Sequence, residues 1–139
     1  MGLKQNVIGK NTELKVANLF KKHNYWAFII PKGLNGQPFD IIARHKNVTF
    51  FIDVKHLDSD FFPFERIEPN QLSSMKYANV VAEIQDNMGF IINKNESFYF
   101  ISYFECVKMM EQGKKGVNIK DLINLELFLE GSKNGDNRF

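Results

Sequence analysis

The stretch Val48 to His56 constrains the fold more than any other part of the chain, because its apolar and polar positions repeat with a period of two. Val48, Phe50, Ile52 and Val54 alternate with Thr49, Phe51, Asp53 and Lys55, a pattern that a strand places on opposite faces. Asp53 and Lys55 therefore share a face. Upstream, Phe39 to Arg44 has the same strand character, and Lys46 and Asn47 stand between the two stretches as a turn, so the pair reads as a hairpin. A two-residue turn there pairs His45 with Val48 and, counting back along the ladder, sets Asp40 opposite Asp53. Two carboxylates facing each other across a strand pair repel unless a cation offsets their charge.

Around this hairpin the other elements fall into place by capping and breaking signals. Asn11 or Thr12 can cap a helix running to about His23, in which Glu13 lies on the face of Ala17 and Phe20 and so points toward the core. Tyr25 to Ile30 reads as a strand ended by Pro31, followed by a turn-rich loop from Lys32 to Pro38 that contains Gly33 and Gly36. Leu57 to Ile67 has no clean period and reads as a loop that could flank a binding surface, its Phe61, Phe62 and Phe64 expected in the core or a dimer interface rather than as a base-stacking platform. Pro69 opens a second helix carrying Leu72, Met75 and Ala82, with Gly89 past its end. Strands over Gly89 to Asn93 and Ser97 to Ser102, a helix over Tyr103 to Gln112 and another over Ile119 to Glu130 complete the reading. With 139 residues and no long linker, the chain is expected to form a single domain over residues 1–130 and a flexible polar tail over 131–139.

Composition excludes several classes of function. No apolar run approaches the roughly 18 residues needed to cross a bilayer, and Met1 to Lys10 lacks a signal-peptide core, so a cytoplasmic protein without membrane contacts is expected. The lone Cys106 sits among apolar neighbours, where packing is its ordinary role. Gly33 and Gly36 belong to no phosphate-cradling motif, which argues against a nucleotide cofactor. His23, His45 and His56 lie at element ends or point away from Asp53 and Lys55, and surface roles are expected for all three. No histidine or cysteine spacing of the zinc type is present. A net charge of +2 permits nucleic-acid binding without demanding it.

The hairpin residues suit phosphoryl chemistry. Magnesium takes oxygen ligands and keeps several waters, so Asp40, Asp53, a backbone carbonyl such as that of Val54, and a substrate phosphate make a workable shell, with Glu13 adding a ligand directly or through water. Such an ion acidifies a water and neutralises charge on the phosphoryl group, while Lys55 can orient the nucleophile or stabilise the transition state.

Taken in order, Glu13, then Gly36-Gln37-Pro38-Phe39-Asp40-Ile41-Ile42-Ala43, then Phe51-Ile52-Asp53-Val54-Lys55, the residues resemble the PD-(D/E)xK nuclease superfamily. Within it the chain resembles the Holliday junction resolvases, both the archaeal type and the RecU type of low-GC Gram-positive bacteria and their phages. Phe62-Pro63-Phe64, Gln71, Gly89-Phe90-Ile91-Ile92 and Phe98-Tyr99-Phe100-Ile101 follow the RecU order. The resemblance implies an α/β protein of restriction-endonuclease-like fold, a central mixed sheet flanked by helices. It implies Mg2+ dependence, with Mn2+ as substitute, and a homodimer that resolves four-way branched DNA by phosphodiester hydrolysis. Asp40 and Asp53 would be the metal carboxylates, Lys55 the catalytic lysine, Glu13 the helix acid and Gln71 an auxiliary residue, unless Gln71 is an ordinary polar residue of a first helical turn.

Three departures stand out. Asp53 occupies a position where resolvases commonly carry Glu. The loop Pro31 to Pro38 is too short for the stalk that RecU proteins insert before their first catalytic Asp. DNA affinity would depend on local clustering, for example of Lys4, Lys10, Lys15, Lys21, Lys22, Lys32, Arg44 and Lys46, most of which could equally be solubilising charge. A restriction- or repair-type nuclease acting on duplex or flap DNA would use the same residues, and a non-catalytic DNA-binding module could share the fold.

Overall fold

The computed structural model describes the backbone of residues 2–32, 37–83 and 87–135 and the side chains of 11–32, 37–83 and 87–131. The loop glycines Gly33 and Gly36 and the side chains of Lys4 and Lys10 lie outside these ranges. Helix α1 (Gly2–Lys22) leads into β1 (Trp26–Ile29), β2 (Ile41–His45), β3 (Val48–His56) and a short β4 (Phe61–Pro63). Then come α2 (Pro69–Ala82), β5 (Met88–Lys94), β6 (Ser97–Ser102), α3 (Tyr103–Glu111), β7 (Gly116–Asn118), β8 (Ile123–Asn124) and α4 (Leu125–Gly135). The main sheet has six strands in the order β1-β2-β3-β5-β6-β8, and β4 pairs with β7 in a small second sheet.

The sheet is mixed because β3 and β5 run parallel while the other neighbours are antiparallel. A parallel pair needs a crossover, and β4 with α2 supplies it. The β2–β3 hairpin closes at His45 opposite Val48, with Lys46 at φ 53, and its register runs to Ile41 opposite Ile52. One step further sets Asp40 against Asp53, as the spacing requires.

Alternation along the strands feeds two cores. One face gathers Val16, Ala17 and Phe20 of α1, Ile41, Ala43, Phe50, Ile52 and Ile91 of the sheet, and Leu125 and Leu129 of α4. The other joins Phe62, Phe64, Met75, Phe90, Ile92, Ile101 and Cys106 beneath α2 and α3. Each large apolar side chain so enclosed contributes about 1.5–3 kcal/mol. Cys106 is fully buried, and burial pushes its thiol up to about 12, so it packs as a small hydrophobe.

Three expectations are corrected. Helix α1 begins at Gly2, so the segment before Asn11 is helical rather than a polar arm, and no cap at Asn11 or Thr12 is needed. Leu57 to Ile67 contains β4 and a 3-10 turn, with Phe62 and Phe64 in the core and Phe61 half exposed. Gly89 lies inside β5, as the strand read over Gly89 to Asn93 requires, and a Cβ there would run into the Ile101 carbonyl and the Ser102 Cα of β6. Helix α2 ends before it, with Glu83 as its C-cap in the left-handed region at φ 54. Finally, Ile119 to Glu130 is not one helix. Asn118 Oδ1 accepts from Lys120 N at 3.0 Å and Asn124 Oδ1 from Leu127 N at 3.1 Å. Two asparagine caps break the segment into a 3-10 turn, an edge strand and a helix that continues to Gly135, into the stretch read as tail.

Candidate active site

The hairpin register delivers Asp40 and Asp53 to the same end of the sheet, where helices from both faces reach them. Asp40 stands one residue before β2, tied to β3 by its backbone N–H, which donates to Ile52 O at 2.7 Å. Its side chain is fixed as well, since Oδ2 accepts from Val54 N at 2.8 Å. Val54 thus enters the site through its backbone, with its side chain packed toward the α1 core.

Asp53 is 4% exposed, and Lys55 shares its face as the period of two requires. Gln71, in the first turn of α2, holds both. Its Nε2 donates to Asp53 Oδ1 at 2.7 Å, and its Oε1 accepts from Lys55 Nζ at 2.8 Å. The same oxygen receives Glu68 N at 3.4 Å, so Gln71 is both a first-turn polar residue and a member of the cluster. Lys55 Nζ stands 3.2 Å from Asp53 Oδ2 without hydrogen-bond alignment, and that buried oxygen has no hydrogen-bond partner.

From the other face, α1 contributes Glu13, 6% exposed. Its Oε2 meets Lys32 Nζ at 2.8 Å, and the same ammonium donates to Asp40 Oδ1 at 2.9 Å. Lys32 is the site residue that sequence reasoning missed; it stood among surface charges because a lysine in a Gly-Pro loop carries no periodic signal. Burial works to lower the Lys32 pKa, but its hydrogen bonds to the two acids outweigh burial and hold it above its ordinary value. A groove of about 500 Å³, lined by Glu13, Leu14, Ile29, Ile30, Pro31 and Lys32, opens beside them.

The cluster sets three carboxylates against two ammonium groups. Its imbalance falls on Asp53, whose carboxyl is pushed up to about 7 by burial first and by the charge of Asp40 second, against the opposing pull of Lys55. An acid held protonated near neutrality beside a second acid is a place where a divalent cation could replace a proton. Asp53 Oδ2, ion-paired with Lys55 but accepting no hydrogen bond, could be a donor atom for it, and oxygen-only donors suit magnesium or manganese. Glu13, Asp40 and Asp53 do not gather within 4.8 Å as a trio, so Glu13 fits a role through water.

The histidines take other places. His56 Nε2 stands 3.0 Å from Asp58 Oδ1 at the surface, and His45 Nδ1 lies 2.9 Å from Asn24 O. His23 is buried, not on the surface, because the end of α1 is covered by α4.

No family model matches the chain. Its fold, a mixed six-stranded sheet flanked by helices, is nonetheless shared with a solved structure. The solved structure of Hjc, a Holliday junction resolvase from the archaeal hyperthermophile Archaeoglobus fulgidus, superposes with a TM-score of 0.65 over 87% of this chain and 99% of that one, at 12% identity. The resemblance drawn from the sequence is borne out at the level of the fold. By sequence the chain is 32% identical over 77 residues to UPF0102 protein IL0423 of Idiomarina loihiensis. That match covers 54% of this chain and 66% of the relative, just under two thirds of its length. No helix among the described residues is long and apolar enough to cross a membrane.

Proposed function

We propose that the chain is a magnesium-dependent, structure-selective endonuclease that resolves four-way DNA junctions by phosphodiester hydrolysis. The observation that carries this reading is the buried, opposed pair Asp40 and Asp53 with Lys55 beside it: a protein that only binds polyanionic DNA has no use for facing carboxylates. The fold shared with Hjc supports the same reading.

Asp40, Asp53 and the Val54 carbonyl would hold the ion, with manganese as a substitute and Glu13 acting through water. The ion would supply positive charge against the phosphoryl group and acidify a water. Lys55, steadied by Gln71, stands where an ammonium can orient the attacking oxygen and stabilise negative charge building on the phosphoryl oxygens. Asp40 is preorganised for its part by the Val54 N–H, so binding requires little rearrangement of that carboxylate. Lys32 balances Glu13 and Asp40 and, being largely solvent-exposed, is free to turn toward the DNA backbone.

The proposed enzyme works as a homodimer, placing two sites on one junction. Tyr77, Val80 and Val81 of α2 are all more than half exposed at spacings that bring them onto one stretch of helix, an apolar surface of the kind that partners cover. The short loop between β1 and β2 favours a second reading of the same site, as a nuclease that also cuts flap or duplex DNA, since it has no room for a junction-binding stalk. Labelled four-way junction, flap and linear duplex, each with magnesium or with EDTA, decide between them. Metal-dependent symmetric nicks confined to the junction establish the resolvase; cleavage of all three establishes the broader enzyme; binding without cleavage overturns both.

A further inference from the structure

A second gathering of ligand-type side chains lies at the far end of α1. A ring nitrogen of His23 and one carboxylate oxygen each from Glu126 and Glu130 lie within 4.8 Å of one another. His23 is 7% exposed, and neither of its ring nitrogens has a hydrogen-bond partner. An imidazole buried without a partner loses the hydration its nitrogens have in the unfolded chain. Glu126 and Glu130, four residues apart, stand on one face of α4, where like charges repel. Lys22 offsets only part of this, its Nζ meeting Glu126 Oε2 at 3.1 Å in an exposed pair. Three donors are thus brought together at a cost that no protein group among them recovers.

We propose that His23, Glu126 and Glu130 form a zinc-type metal site that clips α4 to the end of α1. One imidazole nitrogen and two carboxylates, with water in the fourth position, is a donor set that zinc accepts at about 2.0–2.2 Å. Ligands at those distances in a tetrahedron sit about 3.4 Å apart. The donors, already within 4.8 Å of one another, need to close by no more than about 1.4 Å, which rotation of two glutamates on a helix surface provides. The buried imidazole selects against magnesium, which prefers oxygen alone. The site is separate from the Asp40 cluster, because His23 follows the last turn of α1, ten residues beyond Glu13, about 15 Å along the helix axis. Its role is structural: Leu125 and Leu129 already pack α4 onto the core that α1 covers, and the ion locks the two helices at that seam.

The test is calorimetric titration of the chelator-treated protein with zinc chloride, in an Asp40→Asn, Asp53→Asn background so that the acid pair contributes nothing. One equivalent of zinc is expected to bind and to raise the melting temperature, with magnesium producing neither effect. Adding Glu126→Gln with Glu130→Gln should weaken zinc by more than the ~10–100-fold that loss of a supporting residue costs, while the metal-free melting temperature stays level or rises. Lys22→Ala, which removes only the ion pair, should keep the zinc equivalent. Because His23 is buried, its part is read without substitution, from its imidazole proton resonances, which should shift with zinc while those of His45 and His56 stay still. Absence of zinc binding, retention of it by the double glutamine variant, or zinc-induced shifts confined to His45 and His56 would each overturn the proposal.

Discussion

The two ends of helix α1 handle buried polar groups in opposite ways. At the Glu13 end, carboxylates from α1, β2 and β3 are matched by Lys32, Lys55 and Gln71, so almost every polar atom has a partner and the deficit settles on a single oxygen of Asp53. At the His23 end, an imidazole and two carboxylates approach one another with no mutual hydrogen bond. Charges held in place by partners can turn over a substrate without the cluster rearranging, whereas donors lacking partners offer only a binding site. The comparison sets the proposed catalytic centre against the proposed structural clip, and each half can be broken on its own.

The largest effect is expected from Asp40→Asn or Asp53→Asn. Each should lower metal-dependent cleavage by about 10³-fold or more, a loss on the scale of a principal electrostatic contributor, while junction binding measured by gel shift persists or improves. Undiminished cleavage by either variant would remove the Glu13 end from catalysis. Lys55→Met should cost about 10²–10³-fold in single-turnover rate. Gln71→Ala, which acts through Asp53 and Lys55, should cost about 10–100-fold. If Gln71→Ala were as severe as Lys55→Met, the glutamine would be more than a support.

Next comes pH. Asp53 has a folded pKa of about 7 against an ordinary 3.8, raised by burial and then by Asp40. The folded state thus holds its proton more tightly than the unfolded chain. The resulting stability is fully present below pH 3.8 and is lost as pH rises through 7. In EDTA the melting temperature should therefore fall between about pH 4 and pH 7, and Asp53→Asn should flatten that slope. Saturating magnesium should flatten it too, by favouring the ionised acid. A slope unchanged in the variant would place the proton elsewhere. At the small end, Lys22→Ala should change stability by less than about 1 kcal/mol, as exposed ion pairs do; a larger loss in thermal unfolding would show that the His23 end depends on that lysine.

The hairpin was legible because its information is local. Val48–His56 and Ser97–Ser102 have the bounds that alternation and turn residues indicate, and the Asp40–Asp53 pairing followed from the length of one turn. Glu13 was legible for a related reason, since helical spacing alone puts it on the face of Ala17 and Phe20. Lys32 was not, because only the folding of α1 beside the start of β2 places an ammonium between Glu13 and Asp40. Residues 119–130 were misread because apolar spacing in Ile119, Leu122 and Leu125 imitates a helix, while the deciding contacts belong to Asn118, Asn124 and the open edge of β6.

What the sequence determined by itself was therefore the pair of strands, their register and the side of the sheet on which Asp53 and Lys55 stand, all consequences of a period and a turn within a few residues. Tertiary structure alone decided which groups close around them. Gln71 reaches Asp53 and Lys55 through the crossover that lays α2 on the sheet, Lys32 bridges two acids from different elements, and His23 is buried by a helix more than a hundred residues later in the chain. Periodicity records which way a side chain faces, but not what the rest of the chain will bring to meet it.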